Sequence, residues 1–257
     1  MRILRPSTPT LRIWSLAALV VALTGCGGRG GAAPETILVS AAASLTDAFR
    51  EVEGAFEQAN RDVDVILNLG GSSALREQIL EGAPADVYAS ADIANMDRIT
   101  EAEEAAAAPE VFATNLLQIA VPRGNPAGIT GLEDFANESL LIGLCAEEVP
   151  CGEFARIALA RAGVTASIDT SEPDVRALLT KIEVGELDAA ITYVTDVASS
   201  AGSVQGIDIP GEVNVVAEYP ITSLTNAPNP GGASLFVDFV LSDRGQAILR
   251  DYGFGAP

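Results

Sequence analysis

The chain has 257 residues, 48% of them hydrophobic, a formal net charge of −20 and no histidine. That length supports one large domain or two smaller lobes with real cores, and the apolar content excludes a disordered chain. The acidic balance repels nucleic acid and anionic lipid, and the missing histidine removes the commonest general base and metal ligand.

Arg2, Arg5 and Arg12 precede the apolar run IWSLAALVVAL, and LTGC closes it at Cys26. The run is too short to span a membrane and reads as a signal peptide over residues 1–25. LTGC resembles a bacterial lipobox. The resemblance implies cleavage before Cys26, lipidation of its thiol, and a chain anchored to the outer face of the cytoplasmic membrane. The leader removes three arginines and no acid, which takes the net charge from −20 to −23. Residues 26–35 are then the lipidated cysteine and a flexible Gly-rich tether.

With Cys26 lipidated, Cys145 and Cys151 form an even pair in an oxidising compartment, which favours a disulfide. Closing so short a loop contributes about 2 kcal/mol. A metal site is the rival, but two cysteines without histidine are a poor ligand set.

Beyond the tether, strands and helices alternate. TILVS (36–40) reads as a strand. The following helix carries apolar residues at Leu45, Ala48, Phe49, Val52 and Phe56. A strand at 63–70, a helix ended by Gly82, a strand at 85–91 and a helix from Ile93 continue the pattern. A long strand covers 112–122, and GLEDFANE (131–138) reads as a helix. A strand ending at Cys145, a helix closed by Gly163, a helix at 174–186, a strand at 188–194 and a short helix follow. A second long strand covers 214–224, and residues 231–254 form a terminal helix pair.

This alternation predicts mostly parallel sheets with covered faces. The two long strands divide it into two α/β lobes. Lobe 1 is 36–115 plus 222–257, lobe 2 is 116–221, and the crossing segments lie near 113–122 and 214–224.

Three strand-to-helix turns share one chemistry: AAASL after the first strand, GGSSAL after the second, and CAEEVPCGEF after LLIGL. Each puts small residues at a helix start, where unpaired N–H groups and the helix dipole favour an anion. Such turns lie at the carboxyl ends of strands, where ligands gather in open α/β sheets. Hydrogen bonds to a charged partner contribute roughly 1.5–3 kcal/mol each, so about six or seven would offset desolvation of a dianion without any lysine or arginine. Taken singly, each turn is equally well a capped helix start.

The segments VSAAASLTDAF, GGSSALREQILEGAPADVYASAD, VPCGEFARIAL, PDVRALL, AAITYVTDVAS and FVDFVLSDRGQAILRDYGF resemble the periplasmic molybdate-binding proteins of ABC transporters. The resemblance runs from about residue 36 to the C-terminus. It implies an α/β, two-lobed periplasmic-binding-protein fold, type II-like, holding molybdate or tungstate between the lobes. It further implies a monomeric receptor that is not an enzyme, needs no cofactor and delivers the anion to a membrane permease.

Carried over by position, Ser44 and Ser72 each offer a hydroxyl and a backbone N–H. Cys151 and Val175 offer backbone N–H groups, and Tyr193 a phenol. Cys151 departs from the small residue, such as alanine, common at its position. Ser73 competes with Ser72.

These positions supply donors and no carboxylate. Phosphate near neutral pH carries a proton that needs an acceptor, so molybdate, tungstate and sulfate fit better. A receptor for sulfate or another small oxyanion is the alternative. A secreted hydrolase with Ser44 or Ser72 as nucleophile lacks a histidine and a G-x-S-x-G elbow; Lys181 is the chain's single lysine.

Overall fold

A computed structural model describes residues 35–257. The expected signal peptide, Cys26 and nearly all of the tether lie outside the described residues. No described helix is long and apolar enough to cross a membrane.

β1 (Glu35–Ala42) passes through a 3-10 turn (Ala43–Leu45) into α1 (Thr46–Ala59). β2 (Val63–Gly70) leads into α2 (Ser72–Leu80), and β3 (Val87–Ala89) precedes α3 (Ile93–Glu101). The long β4 (Glu110–Pro122) opens the second group: β5 (Ile142–Cys145), α4 (Pro150–Arg161), β6 (Thr170–Glu172), α5 (Val175–Glu183), β7 (Ala189–Tyr193), α6 (Val194–Ser199) and β8 (Val204–Asp208). β9 (Val216–Ser223) then leads to α7 (Pro230–Leu241) and α8 (Asp243–Asp251).

The strand order is β2-β1-β3-β9-β4-β7-β5-β6, with β8 also on β4. β4 joins the two lobes because its halves have different partners. Glu110–Leu116 pairs with β9, whereas Leu117–Pro122 pairs with β7 and β8. The C-terminal helices pack back on α1: Phe236 of α7 meets Phe56 of α1 at a ring-centroid distance of 5.4 Å and Phe49 at 6.1 Å. α1 lays Ala48, Phe49, Val52 and Phe56 into that core, the face its apolar period marks.

Three expectations change. The sheet is mixed, because β4 and β9 run antiparallel to their neighbours, while β1 with β2 and β3, and β5 with β6 and β7, are parallel. The segment read as a helix at 131–138 is a 3-10 turn, Leu132–Ala136. There the Asp134 carboxylate turns back to accept from the N–H groups of Thr130 and Gly131, and such local bonding competes with helix propagation. β6 and β8 are strands without an expectation. Three residues cannot show an alternation, and Gly206 interrupts β8.

Candidate anion site

Five strands of the two lobes point their carboxyl ends at one place: β1, β2, β5, β6 and β7, each followed by a helix start. Ser44, Ser72, Cys151, Val175 and Tyr193 line a single small cavity there, together with Ala91 and Asp174. Its volume is about 10 Å³ for the centre of a water-sized sphere, a tight space of about one water. Ser72 lines it, whereas Ser73 is buried and does not. None of the lining residues carries a positive charge.

The helix starts facing the cavity are bare. Ala42, Leu45, Gly71 and Val149 occupy the N-cap positions of the 3-10 turn, α1, α2 and α4, and none makes a side-chain capping bond. By contrast α7 and α8, away from the cavity, are capped by Asn229 and Ser242, and α3, whose cap Asp92 follows the lining Ala91, is capped as well. Leaving a helix N-terminus uncapped forgoes about 1 kcal/mol, and it leaves N–H donors available to something else.

α5 is intermediate. Asp174 caps it through Oδ1, accepting from the N–H groups of Arg176 and Ala177 at 2.9 Å each and not from that of Val175. A carboxylate therefore stands in the cavity wall beside the five expected positions, and its Oδ1 is committed to its own helix.

Tyr193 is 1% exposed, and its hydroxyl has no hydrogen-bond partner. A buried unsatisfied hydroxyl costs roughly 1–3 kcal/mol, so it calls for an explanation. Burial, with the nearby Tyr219 and Asp196, pushes the phenol well above its ordinary value. It therefore stays a neutral donor at physiological pH.

Ser72 is held by its neighbours: its Oγ accepts from the Ala91 N–H at 3.1 Å, and its carbonyl accepts from the Tyr88 hydroxyl at 2.9 Å. Ser44 Oγ lies 2.9 Å from the Tyr219 hydroxyl.

Two features bring the lobes together around the cavity. A Cβ on Gly71 would sit 2.6 Å from the Pro173 carbonyl, so only glycine lets the start of α2 approach the start of α5 this closely. Arg176 of α5 pairs with Asp47 of α1 at 3.0 Å. Cys145 and Cys151 form the expected disulfide, which ties the end of β5 to the start of α4. Lys181 is engaged by Glu172 at 2.6 Å and does not line the cavity.

The sequence pattern of bacterial extracellular solute-binding proteins matches residues 37–255. The chain belongs to that family. A solute-binding protein is not an enzyme, so neither serine is read as a nucleophile. The molybdate-binding protein ModA of Mycobacterium bovis is 35% identical to this solute-binding protein over 94% of the chain and 95% of its own length. Among solved structures, the Azotobacter vinelandii periplasmic molybdate-binding protein has a TM-score of 0.76 at 17% identity, covering 86% of this chain and 99% of that one. The sulfate-binding protein SubI of Mycobacterium tuberculosis has the same TM-score of 0.76 at 18% identity, covering 86% of each chain. These two likenesses establish the two-lobed fold and do not separate the anions.

Ala91 and Asp174 were missed as lining residues. Asp174 carried a signal, an aspartate immediately before an apolar helical period, the mark of an N-cap at a helix start. Ala91 carried none, since its part is to present an N–H to Ser72 from the end of β3.

Proposed function

We propose that this protein is the molybdate receptor of an ABC importer, with tungstate as a second ligand. In this reading Ser44 and Ser72 donate hydroxyl and backbone N–H groups, Cys151 and Val175 donate backbone N–H groups, and Tyr193 donates its phenol. The observation that carries it is the Tyr193 hydroxyl, buried without a partner at a cavity also walled by uncapped helix starts. A dianion of few atoms satisfies these donors together. The choice of molybdate over sulfate rests on the relative at 35% identity, whose name states that ligand.

Delivery follows from opening of the lobes, 36–115 with 222–257 against 116–221, about crossing segments near 113–122 and 214–224, a hinge motion of known type. The receptor acts as a monomer, held to the outer face of the cytoplasmic membrane by lipidated Cys26, and hands the anion to its permease. Titration calorimetry with molybdate, tungstate, sulfate and phosphate tests the ligand. Tight binding of the first two is expected; absence of heat or thermal shift with both overturns the assignment.

A further inference from the structure

Serine is an ambiguous donor. Its hydroxyl oxygen also accepts, so a site built on serines would ordinarily admit a protonated oxyanion as readily as a fully deprotonated one. The two cavity serines differ from that expectation because each oxygen already receives a hydrogen bond. For Ser72 the donor is the Ala91 backbone N–H, which has no other polarity.

For Ser44 the neighbour is the Tyr219 hydroxyl at 2.9 Å, where either atom could donate. One step further back, the Asn115 amide favours one direction. Asn115 Oδ1 accepts from the Leu116 N–H at 3.0 Å. A backbone N–H can only donate, so the amide cannot be flipped, and Nδ2 faces Thr195 Oγ1 at 2.8 Å and the Tyr219 hydroxyl at 3.4 Å. Tyr219 can thus accept from Asn115, which leaves its own proton available to Ser44.

We infer that Asn115 and Tyr219 form a one-way hydrogen-bond relay that holds Ser44 as a donor to the bound anion, making Tyr219 a positioning residue for selectivity against protonated oxyanions. Asn115 lies on β4 and Tyr219 on β9, and both are buried, so the relay runs through the paired strands beneath the cavity. The inference rests on the oxyanion reading above and adds to it the origin of discrimination. With one of the two acceptor positions on each serine oxygen filled from behind, and the Ser44 and Ser72 protons left to face the cavity, a hydrogen phosphate finds fewer places for its proton than a bare serine pair would offer.

Tyr219→Phe tests this. The ring keeps its edge contacts with Phe254 and Phe112 at centroid distances of 5.5 and 6.3 Å, so folding is checked by thermal unfolding and is expected to persist. Freed of Tyr219, the Ser44 oxygen has both acceptor positions open and its proton is no longer held toward the anion. Calorimetry with molybdate, and phosphate competition against bound molybdate, should show molybdate weakened about 2- to 10-fold, the worth of one ordinary hydrogen bond. Phosphate should be unweakened, so that the molybdate-to-phosphate ratio falls by the same factor. Asn115→Ala, which leaves the phenol free to reverse, should lower the ratio in the same direction.

A purely structural role would weaken both anions equally and leave the ratio unchanged in both variants; that result overturns the relay while leaving the receptor reading intact. Absence of molybdate binding by the unmodified chain would overturn both.

Discussion

Replacing Tyr193 by phenylalanine separates a ligand-binding phenol from a structural one. The side chain is 1% exposed, its ring sits edge-on to Tyr219 at 6.2 Å, and its hydroxyl has no partner. A phenylalanine keeps the packing and removes only that oxygen. If the phenol exists for the anion, the bound complex loses one charge-assisted hydrogen bond, about 1.5–3 kcal/mol. At 1.4 kcal/mol per decade the dissociation constant rises about 10- to 150-fold. The free protein behaves oppositely. Deleting an unsatisfied buried hydroxyl removes a cost, so its unfolding free energy stays level or rises by up to about 1 kcal/mol. Titration calorimetry and urea unfolding of the anion-free protein read the two effects separately. A dissociation constant within twofold of the unmodified protein, or a free protein destabilised by more than about 1 kcal/mol, would refute the assignment of Tyr193 to the ligand.

Asp196 and the disulfide give two further tests. Burial pushes the Asp196 carboxyl from 3.8 up to about 7, against the lowering effects of the Tyr193 N–H and of Arg176. The folded chain therefore keeps a proton that the unfolded chain has released. That contribution is fully present below about pH 4 and is lost as pH rises through about 7, up to about 4 kcal/mol in all. Asp196→Asn, whose side-chain oxygen can still accept from the Tyr193 N–H, should flatten the fall of urea stability between pH 4 and 7 and gain most at pH 8; an unchanged slope would contradict the buried protonated acid. Replacing Cys145 and Cys151 together by alanine should cost about 2 kcal/mol of stability through the opened loop. It should weaken molybdate less than Tyr193→Phe does, because the residue-151 N–H remains, and a larger loss of affinity than for Tyr193→Phe would show that the bridge itself shapes the site.

Much of the site was legible because its chemistry is local. A helix start is written in a few consecutive residues, and AAASL, GGSSAL and VPCGEF announce theirs by small side chains and Pro150. Strand β2, Val63–Gly70, also matches its expected bounds. What was not legible depends on partners far apart in sequence. Tyr219 reads as one aromatic in a long strand, and only the fold sets its hydroxyl beside Ser44, 175 residues away. The parallel pattern failed for a similar reason. βα alternation constrains the strands it connects and says nothing of the direction in which β4 and β9 are inserted between them.

The composition poses a problem that these contacts answer. A chain of net charge −20 must hold an anion with no cation in the cavity wall, and acidic groups stand around the site. Each is disarmed differently. Asp174 gives one oxygen to two N–H groups of α5. Asp47 is paired with Arg176. Asp92, following Ala91, is spent on the Asn95 side chain and backbone and on Ser90. Asp196, wholly buried, is held partly protonated near neutrality. Surface charge further out is screened beyond about 8–10 Å at physiological ionic strength. What a bound dianion meets is then set by dipoles at contact distance. Neutral donors suit a site between closing lobes for a second reason: a lysine or arginine there would carry a charge to be desolvated at each closure, whereas N–H and O–H groups carry none. On this account Arg176 serves the site from outside it, neutralising Asp47 across the lobes and leaving recognition to the uncharged groups.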